Sequence, residues 1–206
     1  MPLLYDKEVR VFMALCGSDG NNAYLIVCPQ TGRSIMIDAP LGPGQLLEEA
    51  VGAEVTAVLI THRHRDHWEG LEEVIAATGA KAGAHADDAE GLPVTPNFLM
   101  SDGDIVRTGS IELTVIHTPG HTPGSVCLRM GRLLFTGDTL YAHAPGESQG
   151  QEATLQLLTG LTEKIFVLPD DTIVLPGHGP GGILKLMKQQ YRAVAAQYPD
   201  LLPPLL

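Results

Sequence analysis

The sequence predicts a layered α/β sandwich in a single domain. Short apolar runs of strand length recur between turn residues along the whole chain, and several alternate with stretches of helical periodicity. Each half runs strands first and then a mixed strand and helix segment, a pattern that lays helices over sheets. No linker-like or low-complexity stretch divides the chain. Its 206 residues, 44% of them hydrophobic, are enough for one sizeable core. The domain is therefore read as residues 1–206.

Val9 to Cys16 and Ala23 to Cys28 read as strands around the turn GSDGNN. Arg33 to Asp38 is a third strand after the turn PQTG. Gln45 to Val51 is helical, and Val55 to Ile60 is a short buried strand. After His67, the segment EGLEEVIAATG sets Leu71, Val74, Ile75 and Thr78 at helical spacing and closes on Gly79. Ala80 to Ala84 is a further short strand. In the second half, Ile105-Val106 and Ile111 to Ile116 are strands across a TGS turn. Ser125 to Met130 and Leu133 to Thr136 form a hairpin through Gly131-Arg132. Ala153 to Leu168 is a helix weakened at Gly160, and Thr172 to Leu175 is a strand. Ile183, Leu184, Met187, Tyr191, Val194 and Tyr198 make one apolar stripe on the last helix.

Charge excludes some partners. The chain has 13 basic and 24 acidic residues, net −11, so neither nucleic acid nor an anionic membrane is an expected partner. No apolar run approaches a membrane span. The start MPLLYDKEVR lacks a basic region leading into a long apolar one, so no signal peptide is expected. Cys16, Cys28 and Cys127 are widely spaced and form no CxxC. They read as small buried hydrophobes in a reducing compartment, hence a cytoplasmic protein. The oligomeric state stays open.

The densest chemistry is THRHRDHW, Thr61 to Trp68, with His62, His64, Asp66 and His67 directly after the apolar run AVLI. A helix would put His62 and His64 on different faces. A loop leaving a strand end can turn all four donors toward one point. Three more segments are built alike, namely HTPGHTPGS (His117 to Ser125), FTGDTL (Phe135 to Leu140) and LPGHGP (Leu175 to Pro180). Each sets a His or Asp beside glycine or proline just after an apolar strand. The donors are then His62, His64, Asp66, His67, His121, Asp138 and His178. Five imidazoles and two carboxylates suit two borderline-soft metal ions better than one.

The set THxHxDH, TPGHTPGS, TGDTL and PGHGP, in this order, resembles the metallo-β-lactamase superfamily, nearest its glyoxalase II-like hydrolases. The resemblance implies a four-layer αββα sandwich and two divalent metal ions, zinc foremost, with iron or manganese as other options. Carried over position by position, it puts His62, His64 and His121 at one metal site and Asp66, His67 and His178 at the other. Asp138 bridges them. It further implies hydrolysis of a small acyl substrate, a thioester, ester or lactone, by a hydroxide shared between the ions. Asp66 would orient that hydroxide as well as ligate. A thiolate leaving group needs little protonation, because thiols have a pKa of about 8.5.

Tyr141 follows Asp138 at the offset of a tyrosine that holds the substrate carbonyl in quorum-quenching lactonases of this superfamily. It either does so here or fills a gap. His143 is read as a solvated loop residue or part of the pocket mouth. Trp68 is either pocket wall or core. His85 and His117 are read as structural. Arg63 and Arg65 alternate with the donors and either pair with surface acids or touch an anionic substrate.

The chain departs from the family in three places. Glyoxalase II enzymes continue past the last histidine into a helical domain that holds glutathione, whereas residues 179–206 suffice for one helix and a tail. A glycine-arginine-threonine-aspartate run common after the bridging aspartate is replaced by AHAPGESQGQ. True β-lactamases are exported, and many lack a histidine at the position of His67. A competing reading is a persulfide dioxygenase-like oxidoreductase, with one iron held by His62, His121 and Asp138 as a facial triad.

Overall fold

In the computed structural model, residues 3–6 and 9–195 are described. One sheet holds β1 (Leu3–Asp6), β2 (Arg10–Cys16), β3 (Asn21–Val27), β4 (Arg33–Ile37), β5 (Glu54–Leu59), β6 (Lys81–His85) and β7 (Phe98–Met100), in that spatial order. β1 to β4 pair antiparallel, and β4 to β7 pair in parallel. The other sheet holds β8 (Ile105–Thr108), β9 (Ile111–His117), β10 (Val126–Met130), β11 (Leu133–Gly137), β12 (Ile173–Pro176) and β13 (Gly182–Ile183), again in chain order. There only β11 and β12 run parallel.

Three apolar layers hold the sheets and helices together. Between the sheets lie Ile26, Ile35, Ile37 and Leu59 from one side and Leu113, Val115, Leu128 and Phe135 from the other. The outer face of the first sheet packs Leu25, Met36 and Val58 under α1 (Gly44–Glu49) and α2 (Leu71–Thr78) through Leu46, Leu71 and Val74. The outer face of the second packs Cys127, Leu134 and Val174 under α4 (Gln151–Gly160) and α5 (Leu184–Ala195). A short α3 (Ala86–Ala89) follows β6. This is the expected αββα arrangement. It explains why NNAYLIV of β3 is buried at every position: a central strand covered on both faces has no polar side to show.

Tyr24 and Phe135 meet edge to face across the central layer, ring centroids 5.0 Å apart at 67°. The Tyr24 hydroxyl donates to the Pro176 carbonyl at 2.7 Å. Replacing Phe135 with alanine would cost about 3–5 kcal/mol through lost transfer energy and the cavity left behind.

Three details differ from the sequence reading. The helix expected over Ala153 to Leu168 stops at Gly160 and widens into a single π turn, Leu161–Ile165. Ile183, expected on the last apolar stripe, belongs to β13 and is 39% exposed. The Tyr198 end of that stripe lies outside the described residues, as does the side chain of Val194. β1, β7, β13 and α3 carried no readable period, being only two to four residues long. By contrast, Gly79 caps α2 as expected, in the left-handed conformation at φ 70°.

The C-terminal ends of β4 and β5 and those of β9, β11 and β12 come out at one edge of the sandwich. The sheets are tied there by Asn22 N–H to Gly177 O at 2.7 Å and Val126 N–H to Thr61 O at 2.9 Å. All four donor loops leave from that edge.

Candidate metal centre

The chain after β5 cannot continue as sheet, because it turns at a 3₁₀ segment, Arg65–His67. That turn brings the loop donors together. His62 Nε2 lies 3.1 Å from His64 Nδ1 and 3.2 Å from His121 Nε2. Three ring nitrogens thus face one another. Their spacing is close to the edge of about 3.3–3.4 Å that follows from tetrahedral zinc with Zn–N of about 2.0–2.1 Å. Tautomers are set from behind. His121 Nδ1–H donates to the Glu147 carbonyl at 2.8 Å, and His62 Nδ1–H donates to Thr61 Oγ1 at 3.1 Å. Each bond leaves the Nε2 lone pair facing inward.

A second group sits beside the first. Asp66 Oδ2 is 3.3 Å from His178 Nε2 and 3.5 Å from His67 Nε2. Asp138 faces both groups: Oδ1 lies 3.4 Å from His67 Nε2 and 3.1 Å from His178 Nδ1, while Oδ2 lies 3.7 Å from His121 Nε2. All seven donors singled out in the sequence therefore converge, in groups that could each hold a cation. His67 Nε2 is buried with no hydrogen-bond partner. An orphaned ring nitrogen aimed between two carboxylates is costly unless a cation completes it, so these residues fit a metal.

Protonation follows surroundings. Burial, then the charges of neighbouring imidazoles, push His62 well below the usual histidine range. Burial pushes His67 the same way, but the charges of Asp38 and Asp138 outweigh it and raise its pKa to about 10. Asp138 is held far below the usual carboxylate range: burial opposes this, and the histidines around it prevail.

Several supporting residues were not singled out in the sequence. Asp38, just past β4, takes the left-handed conformation at φ 58°, rare outside glycine. Its carboxylate accepts from Thr61 N–H at 2.8 Å, Thr61 Oγ1–H at 2.9 Å and His67 Nδ1–H at 2.8 Å. Asn21 Nδ2 donates to Asp66 Oδ2 at 2.7 Å. Asp88 accepts from Arg63 N–H, Thr122 Oγ1–H and Gly124 N–H, tying the THRHRDH loop to the HTPGHTPGS loop. Gly177 must lack a Cβ, which would overlap Asp138 Oδ1 and the His67 ring. An aspartate closing the apolar run SIMI was the one visible signal for Asp38. Asp88 had none.

The remaining candidates divide. Tyr141 stands beside the second group, its ring centroid 6.4 Å from that of His178. Burial and then the Asp138 charge raise its pKa, so it stays a protonated donor. It also borders an apolar cavity of about 140 Å³ with Leu140, Phe166 and Met187. His143 is exposed and reaches the same cavity. Trp68 packs into the outer core and donates Nε1–H to Arg63 O at 2.7 Å, so it is core rather than pocket wall. Arg65 pairs with Glu69. His85 and His117 stack at 3.9 Å and 14°, near Asp87. In stacked rings the in-plane lone pairs run side by side and do not converge, so this pair is structural. All three cysteines are buried and free.

The family described as the metallo-beta-lactamase superfamily matches residues 16–178. This chain belongs to the metallo-β-lactamase superfamily. Membership in it, with these donor groups, implies divalent-cation binding. Among its relatives, the chain is 41% identical over 164 residues to a protein named hydroxyacylglutathione hydrolase from Polaromonas sp. (strain JS666), covering 77% of this chain and 62% of that protein. The chain thus spans less than two thirds of that relative's length. Among solved superfamily folds, ETHE1 from Myxococcus xanthus is 26% identical with a TM-score of 0.80, covering 94% of this chain and 92% of that one. A di-iron-bound form of TTHA1623 is 28% identical with a TM-score of 0.73, covering 87% and 98%. Among the described residues, no helix is long and apolar enough to cross a membrane.

Proposed function

We propose that this chain is a binuclear, metal-dependent hydrolase of small thioesters, of the hydroxyacyl-thioester kind that its relatives' name describes, acting in the cytoplasm. The convergence of seven donors into two groups that share Asp138 carries this reading. His62, His64 and His121 would hold one ion, zinc foremost, and Asp66, His67 and His178 would hold the other, with Asp138 shared between the two groups. When bound, such a pair supplies Lewis acidity and a water acidic enough to be a nucleophile at neutral pH.

The chain's own groups do the positioning. Asn21 fixes the Asp66 carboxylate through Oδ2, the oxygen that faces His67 and His178, and so holds Asp66 where it would orient a water as well as ligate. Asp38 holds the His67 ring, and Glu147 holds His121. Tyr141, kept protonated, donates to the acyl carbonyl oxygen as charge develops there. Esters and lactones are weaker candidates, because an alkoxide leaving group needs an acid.

The test is metal content with a substrate panel of hydroxyacyl thioesters, lactones and phosphodiesters, before and after zinc or manganese reconstitution. About two ions per chain with thioester turnover is the expected result. One iron with oxygen uptake on a persulfide would instead favour the dioxygenase reading. The segment PGHGP around His178, the hydrolase form of the last motif, stands against that reading.

A further inference from the structure

A recess of about 230 Å³ opens beside the first imidazole group, lined by Arg63, His64, His121, Gln149 and Gln156 among others. Because two of the candidate ligands form its wall, a substrate centred on the site extends into it. No Asp or Glu lines it, in a chain with 24 acidic residues and a net charge of −11.

Arg63 is held in place there. Its aliphatic stem lies against Gly91, where a Cβ would come 2.9 Å from Arg63 Cβ. Its Nε lies 3.7 Å from Asp88 Oδ1, too far for a hydrogen bond. Asp88 is 1% exposed and already accepts from Arg63 N–H, Thr122 Oγ1–H and Gly124 N–H. The terminal nitrogens of Arg63 have no hydrogen-bond partner among the described residues, and the side chain is 46% exposed. The Arg63 side chain thus borders the recess with two amide side chains beside it, and its ion-pair partner, the Asp88 carboxylate at 3.7 Å, lies outside the lining. A guanidinium fork matches a carboxylate in two-pronged fashion. The acidic surface repels anions at a distance, so a substrate carboxylate needs a local cation of this kind.

We infer that Arg63 is a specificity-determining residue: the recess binds a carboxylate that the thioester carries a few bonds from its scissile carbonyl. This rests on the hydrolase reading above. The carboxylate can sit on the thiol side or on the acyl side, and the substrates separate the two. They are the S-acetyl thioester of N-acetylcysteine, the S-acetyl thioester of N-acetylcysteinamide, and the S-succinyl thioester of N-acetylcysteinamide. The metal-loaded protein should prefer one of the two charged substrates over the neutral one by about 10-fold or more in kcat/KM. Arg63→Met keeps the stem over Gly91 and should erase that ratio at unchanged metal content. Arg63→Lys should restore it in part, and Arg65→Met, altering the neighbour paired with Glu69, should leave it as in the wild type. No carboxylate preference in the wild type, or a preference that survives Arg63→Met, overturns the assignment. If no thioester is turned over, the hydrolase reading fails instead. Calorimetric binding of N-acetylcysteine against N-acetylcysteinamide, and of succinate against succinamide, then decides the recess alone: a preference for the acid in either pair that Arg63→Met abolishes supports it, and equal binding in both pairs overturns it.

Discussion

The two halves of the centre are built from different donor sets, and their histidines behave oppositely. The His62, His64 and His121 half is three imidazoles, braced by a hydroxyl and a backbone carbonyl, and it opens onto the Arg63 recess. The Asp66, His67 and His178 half is laced with carboxylates: Asp66 and Asp138 face it, and Asp38 stands behind it. Within one loop, His62 is driven toward the neutral state and His67 toward the protonated one. Both are buried, at 2% and 0% exposure, so burial does not separate them; the carboxylates around His67 do. A neutral ligand set leaves its cation's charge for polarising substrate, whereas a charged set holds its cation more firmly. The first half is therefore suited to engaging substrate and the second to anchoring an ion.

The largest break of this comparison is at Asp138, which belongs to both halves. Asp138→Asn is expected to lower bound metal at both sites and turnover by more than about 100-fold, beyond the usual range of about 10- to 100-fold for a residue that only supports a ligand. Metal analysis and kcat/KM read the outcome, and full metal with near-normal rate would falsify the bridge. Asp38→Asn separates the halves. It keeps the shape while removing the charge behind His67, and should weaken the second ion about 10- to 100-fold while the first still titrates tightly. Two equally weakened sites would show that the halves are not independent.

The donor set was legible because each donor follows an apolar strand and sits among glycine or proline, and all four segments are local. The supporting set was harder to read. Asp38 acts on His67 from the end of another strand, and Asp88 joins two loops from α3, which carries no period of its own. Register and strand order bring these residues together, and neither is written in a local pattern. For the fold, long strands and α2 could be read from periodicity, while strands of two to four residues could not. The helix broken at Gly160 shows a tertiary override: beyond it, Leu161 and Ile165 keep facing the core by widening the turn to π geometry.

The proton on His67 separates the two halves as well, at a smaller scale. In the metal-free protein His67 has its pKa raised to about 10, so the stability it contributes is complete below about pH 6.5 and lost as pH rises through about 10. Metal binding runs the other way, since the cation must displace the His67 proton. Affinity of the second site should rise about tenfold per pH unit between about pH 7 and 9, with about one proton released on binding. The first site should release none from His62, already neutral there. Calorimetry in buffers of different ionisation enthalpy counts those protons. Equal release at the two sites would remove the electrostatic distinction between them.

The smallest expected effect is at Tyr141, which lies on the second half's side and is proposed to serve the substrate. Tyr141→Phe removes one neutral donor to the acyl oxygen, worth about 3- to 10-fold in kcat. Metal content should not change, because Tyr141 is not one of the seven donors. Since the ring also lines the apolar cavity beside Phe166 and Met187, phenylalanine keeps the packing and isolates the hydroxyl. A loss in kcat with KM unchanged marks a donor acting in the transition state. A loss confined to lactones would move the preferred substrate from thioesters to lactones. No change on any substrate would make Tyr141 a wall of that cavity and nothing more, leaving stabilisation of the oxyanion to the metal-binding half that faces the recess.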